Sequence, residues 1–183
     1  MRKIVLTFGL ISGAILAAMM FATMPFHDQI GFDRGEVIGY TTMVLAGLLI
    51  FFGVRSFRDN VAGGTVSFGR AFAVAIQIGA VAAVCYVIAW EIISTRMVPD
   101  FMQKYQAHVL EKERASGATE QQLAARKVEM EKFAEMYKNP IINVAMTFME
   151  PLPVALIISL VSAGVLSRKK KETMLANAPA RAT

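Results

Sequence analysis

Apolar residues in this chain fall in four blocks, Ile4–Met24, Val37–Val54, Ala71–Ile93 and Ile141–Leu166. They do not alternate at period two, nor do they keep to one helical face, so neither a half-buried strand nor a surface helix describes them. A helix needs about 20 mostly apolar residues to cross the ~30 Å core of a bilayer. Each block is near or above that length; two carry no formal charge and two carry one glutamate each. The pattern predicts an all-α fold in one membrane domain spanning 1–183. Its four-helix transmembrane bundle would carry a helical insertion, 94–139, between the third and fourth crossings, and a basic tail, 167–183.

Composition agrees with the blocks. Hydrophobic residues make up 55% of the 183 and the mean hydropathy is +0.49. A water-soluble alternative would need four helices apolar on every face, with too little polar chain to cover them. The first block follows Met1-Arg2-Lys3, as a secretory signal would, but it is longer than the 7–15 residues of a signal's apolar region. It ends in Ala22-Thr23-Met24-Pro25-Phe26, and a retained helix is expected. Cys85 is the lone cysteine, so no intrachain disulfide can form and redox compartment cannot be read from it.

The net charge of +5 would suit nucleic acid if it were spread over one face, but it is divided along the chain. With both termini on one side of four crossings, that side holds Arg2, Lys3, Arg55, Arg58, Arg70, Arg168, Lys169, Lys170, Lys171 and Arg181 against Asp59 and Glu172. The other side is close to neutral. Basic residues near helix ends stay on the cytoplasmic face, so both ends are expected inside. The Arg168–Lys171 cluster reads as a stop-transfer anchor, with contact to anionic headgroups as the alternative. The expected surroundings are the lipid bilayer and no nucleic acid.

Small residues recur at helical spacing. Gly9 and Gly13 lie in the first block, Ala71, Ala75, Gly79 and Ala83 in the third, Ala155, Ser159 and Ala163 in the fourth. Such stripes let helix backbones approach in lipid, where packing must hold helices together. They are expected to close the chain's own bundle, with a seam to a homo-oligomer or another membrane protein as the alternative. Between the second and third blocks, Gly63-Gly64 supplies a tight turn. It lacks the lysine and spacing of a phosphate-binding loop.

The insertion is too long for a structureless connection and is rich in Glu, Lys, Ala, Gln and Met, all good helix formers. Phe101, Tyr105, His108 and Val109 share one helical face; Leu123, Met130, Phe133, Ala134 and Tyr137 share another. Ala115-Ser116-Gly117-Ala118 breaks the pattern between them, and Thr119 with Gln122 has the form of a capping box. A helical hairpin is expected, packed on itself or on the outer ends of the bundle. Its mixed charges read as a solvated face, with partner docking as the alternative.

Chemistry has few candidates. Glu91 and Glu150 fall at similar depth near the outer interface, and intramembrane carboxylates are costly enough to be functional-site candidates. Glu150 precedes Pro151, and Pro153 follows. Each proline removes a backbone donor, and the residue before proline is biased away from helical geometry. A kink or break is expected there, and broken helices beside charged groups recur at ion sites in transporters. The competing reading is structural: Glu150 held by Arg96, Tyr86 or Asn143. His27 and His108 are isolated, no metal-ligand spacing occurs, and Cys85 lies in apolar surroundings that do not activate a thiol. The chain is therefore read as a non-enzyme with no catalytic or metal residues and no cofactor.

The segments Lys3-Ile4-Val5-Leu6-Thr7-Phe8-Gly9-Leu10-Ile11-Ser12-Gly13, Gly53-Val54-Arg55-Ser56-Phe57-Arg58-Asp59, Gly63-Gly64-Thr65-Val66-Ser67-Phe68-Gly69-Arg70-Ala71-Phe72, Trp90-Glu91-Ile92, Pro99-Asp100-Phe101, Phe148-Met149-Glu150-Pro151-Leu152-Pro153 and Leu160-Val161-Ser162-Ala163 together resemble the bacterial inner-membrane family filed as domain of unknown function 4199. The resemblance implies a four-helix protein of the bacterial cytoplasmic (inner) membrane with an extra-cytoplasmic insertion, and no known activity. Two functional expectations stand beside it. The first is a non-enzymatic structural or partner-binding component, with Gly9, Gly13, the third-helix stripe and the hairpin as contact surfaces. The second is a small proton- or cation-coupled transporter or channel using Glu91 and Glu150.

Overall fold

Helix α4 (Phe68–Arg96) is the axis of the molecule, packed against α1 (Arg2–Thr23), α3 (Phe32–Asn60) and α8 (Leu152–Leu166). The computed structural model describes residues 1–167; the Arg168–Lys171 cluster and the rest of the basic tail lie outside the described residues. All the regular structure in that range is helical. Four spans are long and apolar enough to cross a membrane: Arg2–Ile30, Phe32–Asn60, Phe68–Arg96 and Pro140–Leu166, with mean hydropathies of 2.3, 2.1, 2.3 and 1.9. The helices outrun the apolar blocks. α3 starts at Phe32 and runs 29 residues, because a hydrogen-bonded helix has no reason to stop where the hydrocarbon does.

The bundle core has two layers. Nearer the termini, Val5, Ile50, Val54, Phe57, Val74, Ile78 and Leu166 pack together, with Ala71, Ala75 and Ala163 at their centre. Nearer the hairpin, Leu16, Met20, Met43, Tyr86, Trp90 and Ile93 form the second layer. Glycines of the small-residue stripes sit at close helix crossings. A methyl group on Gly9 would come within 2.7 Å of Val81 Cβ, one on Gly13 within 2.5 Å of Cys85 Cβ, and one on Gly79 within 3.0 Å of Ala155 Cβ. Ser12 Oγ donates to the Ala46 carbonyl at 2.9 Å and joins α1 to α3. Ala83, Ser159 and Ala163 are equally buried, so these faces are covered by the chain itself.

Ser159 is fully buried, yet its hydroxyl has no partner. A buried unsatisfied hydroxyl costs about 1–3 kcal/mol. Ser159→Ala is therefore expected to leave stability unchanged or to raise it by about 1 kcal/mol, measured as the SDS fraction that unfolds the protein in mixed micelles. A clear loss of stability would mean that the hydroxyl has a partner after all.

The turn at 61–67 uses left-handed backbone at Gly63 and Gly64 (φ 70° and 87°), and Gly64 N–H caps the end of α3 on the Arg58 carbonyl at 2.9 Å. At the other end, a 3₁₀ turn (Met24–Phe26) and the short α2 (His27–Ile30) lead to Gly31, again left-handed at φ 79°, and into α3.

The insertion is the expected hairpin: α5 (Phe101–Ala115) and α6 (Glu120–Tyr137), separated by Gly117 at φ 92°. Thr119 and Gln122 form the capping box in both directions. Gln106 Nε2 donates to the Met130 carbonyl at 2.7 Å and Arg126 Nε meets Glu113 at 3.0 Å, tying the two helices together. α7 (Pro140–Met149) then starts on an Asn139 cap, whose side chain accepts from Ile141 N–H at 3.0 Å.

The fourth span is divided as the prolines require, into α7 and α8, with Glu150 and Pro151 between. One expectation fails in detail. Glu150 keeps right-handed helical dihedrals (φ −63°, ψ −51°), although the following proline disfavours them. The interruption comes instead from the N–H groups that Pro151 and Pro153 lack, which leave the Thr147 and Met149 carbonyls without their usual donors.

Candidate ligand cavity at the hairpin end

A cavity of about 580 Å³ lies where the hairpin, the 24–36 segment and the ends of α1, α4 and α7 meet. Its size falls within the ~300–1,000 Å³ range of small-molecule sites. The wall is mainly apolar and aromatic: Leu16, Met20, Met43, Phe32, Tyr40, Tyr86, Trp90, Phe101, Tyr105 and Tyr137. Helical spacing explains the placement. Tyr86 and Trp90 are one turn apart on α4, and Glu36 and Tyr40 one turn apart on α3.

Aromatic packing and ion pairs fix the roof. Trp90 meets Phe101 edge-on, with centroids 5.0 Å apart, and its indole N–H donates to the Tyr137 hydroxyl at 2.6 Å. Phe32 stacks on His108 at 5.0 Å and meets Phe101 at 5.5 Å. Lys104 bridges Asp28 (2.8 Å) and Asp100 (3.0 Å), while Lys112 reaches Asp33 at 2.7 Å. The hydrogen bond from Lys104 holds the Asp100 carboxyl below its usual range, and the bond to Asp28 raises the Lys104 ammonium above its own. These exposed pairs position α5 against the 24–36 segment and add little stability.

Glu150 faces the cavity from the helix break, and its Oε2 accepts from the Tyr86 hydroxyl at 2.8 Å. Of the partners the sequence offered, Tyr86 is the one used. Pro151 and Pro153 follow Glu150 directly, Pro151 buried and Pro153 exposed. Glu91 is not part of the cavity wall. It is half-buried on α4, with Oε1 lacking a protein partner. The Tyr137 hydroxyl lies within electrostatic reach of both carboxylates, and burial pushes its pKa up. The carboxylate that joins Glu150 in the wall is Glu36, close enough to act on it electrostatically. Sequence reasoning missed Glu36, which counts there only as one charge in a link. Its sole signal was a position one turn before Tyr40.

Among the described residues, neither Glu36 nor Glu150 has an ion-pair partner. No group of three metal-ligating side chains converges there either. Beside the cavity lies a small pocket of about 20 Å³, bounded by Ser12, Gly47, Gly79 and Pro151. That is room for about one water.

Four apolar spans capped by a polar helical hairpin define a multi-pass helical membrane protein. Residues 7–168, nearly the whole chain, match the family described as protein of unknown function (DUF4199), and the protein belongs to that family. This is the family its sequence resembles. No curated protein and no solved structure matches the chain.

Proposed function

We propose that the protein is a non-enzymatic binding component of the bacterial cytoplasmic membrane, with both termini inside and the hairpin outside, and that its cavity receives a ligand from the outer face. The observation that carries this is the cavity itself. It is large, mostly apolar, furnished with few polar groups and roofed by a segment of its own, which is how binding sites for small molecules are built. The basic residues of the 55–70 turn support the orientation. A structural role alone would leave the hairpin end filled, as the core below it is.

Transport through Glu91 and Glu150 is the second reading, favoured by the interrupted fourth span beside a carboxylate. Transport would need a path past Glu150 toward the termini, and the pocket of about 20 Å³ at Ser12, Gly47, Gly79 and Pro151 has room for about one water.

Thiol labelling tests the leading reading. In a Cys85→Ala background, Tyr40→Cys is expected to react with a membrane-impermeant maleimide in intact cells, and Val61→Cys, in the opposite turn, only after permeabilisation. The reverse pattern inverts the orientation. A Tyr40→Cys protein that stays unlabelled from both sides removes the open cavity.

A further inference from the structure

We propose that the cavity binds an organic ammonium ion, its charge held between Glu36 and Glu150 and its apolar part against Tyr40, Tyr86, Trp90 and Phe101. The proposal rests on reading the cavity as a ligand site and assigns the chemistry of what enters it.

Three features converge. First, the wall carries two carboxylates without a cationic partner, whereas Asp33 in the same wall is already paired with Lys112 at 2.7 Å. Two like charges facing one space repel each other, and a bound cation relieves both. Second, the surrounding side chains are aromatic. Ring faces attract ammonium groups, and an aromatic cage is the recurring way to hold a quaternary or alkylated ammonium. Third, the polar groups are too few and too scattered for a bare metal ion. Divalent metals want several oxygen or nitrogen ligands at once, and no cluster of three forms among the described residues. An organic cation brings apolar surface that the wall can cover. Tyr86 fits the same picture: by donating to Glu150 Oε2 at 2.8 Å it fixes the carboxylate and leaves the other oxygen free for the ligand.

Trp90 is the one tryptophan of the chain and stands in the cavity wall, so its emission reports occupancy directly. The experiment titrates the purified full-length protein, in micelles free of ammonium lipids, with phenyltrimethylammonium and with benzenesulfonate, an anion of similar shape. The cation is expected to shift Trp90 emission saturably and to slow maleimide labelling of Gly39→Cys in the Cys85→Ala background, a wall position where a Cβ meets nothing within 4 Å. The anion is expected to bind at least about tenfold more weakly. Glu36→Gln, an exposed and nearly isosteric change, should weaken the cation about fivefold or more, and Glu36→Gln with Glu150→Gln should abolish saturation. Displacement of the probe by phosphatidylethanolamine in the micelle would identify a lipid headgroup as the ammonium source. Displacement by water-soluble amines alone would identify a free one. Both keep the assignment.

Equal binding of cation and anion, or cation binding untouched by the double substitution, overturns the assignment while leaving an open cavity. So does a protein whose Gly39→Cys variant is labelled but never protected. An unlabelled cavity would instead remove the underlying reading.

Discussion

Gly13→Leu is expected to lower the stability of the folded bundle by about 3 kcal/mol, the upper range for overpacking a closed interface. At this crossing α1 and α4 have no space left. A Cβ on Gly13 would stand 2.5 Å from Cys85 Cβ, 2.8 Å from its sulfur and 3.4 Å from Ala82 Cα. One turn earlier, a Cβ on Gly9 would meet the Ile78 carbonyl oxygen at 3.1 Å. Cys85 cannot swing clear without moving its own Cβ, so the helices must part. In water, separated apolar faces would at least be driven to re-pack. In lipid that drive is missing, and the dispersion lost at the crossing is not recovered elsewhere. Gly164 supplies the control, because a Cβ there meets nothing within 4 Å; Gly164→Ala is expected to be neutral or slightly stabilising through helix propensity. The check is the SDS fraction at half-unfolding for the three proteins. Gly13→Leu unfolding together with Gly164→Ala would show that the two helices do not meet this closely.

Much of this architecture was written in one dimension. Four apolar blocks are a signal that burial in water cannot imitate, because no soluble bundle hides helices that are apolar all round. The capping box at Thr119 and the interruption at Pro151 were equally legible, since each depends on neighbours within four residues. The small-residue stripes were read as close crossings, and a Cβ on Gly9, Gly13 or Gly79 would crowd a neighbouring helix. The cavity was not legible. It forms where the hairpin lies over the 24–36 segment, with Lys104 and Lys112 paired to Asp28 and Asp33, whereas a run of mixed charges at helical spacing reads as a face turned to solvent. The pairing of carboxylates shows the same limit. Depth counted along two helices put Glu91 beside Glu150, but depth says nothing of rotation about the helix axis. One residue of rotation separates Glu91 from Trp90 by about 100°, and it is Trp90 that faces the cavity. Glu36 takes the place beside Glu150 because α3 begins earlier than its apolar block.

Trp90→Ala should be the most damaging single change at the hairpin end, costing about 3–5 kcal/mol, as large aromatic truncations in packed sites do. Trp90 touches both helices of the hairpin. It is 7% exposed within the second core layer, packs edge-on against Phe101 of α5 and donates to Tyr137 at the end of α6. Removing it leaves a void between α4 and both hairpin helices and strips the half-buried Tyr137 hydroxyl of its donor. The exposed ion pairs cannot compensate, since such pairs contribute at most about 1 kcal/mol each. The hairpin is therefore expected to loosen from the bundle while the four spans stay folded, because the Gly9, Gly13 and Gly79 crossings lie in or next to the layer below. Limited proteolysis separates the two effects: cleavage near Ser116-Gly117 and along α6 should accelerate many-fold, with the spans protected as in wild type. Trp90→Phe keeps most of the packing and loses only the hydrogen bond, so it should cost about 1 kcal/mol. Equal loss in Trp90→Phe and Trp90→Ala would assign the attachment to the hydrogen bond. Wild-type proteolysis in both would mean that the hairpin is held by something other than this residue, and the cavity beneath it would have a different roof.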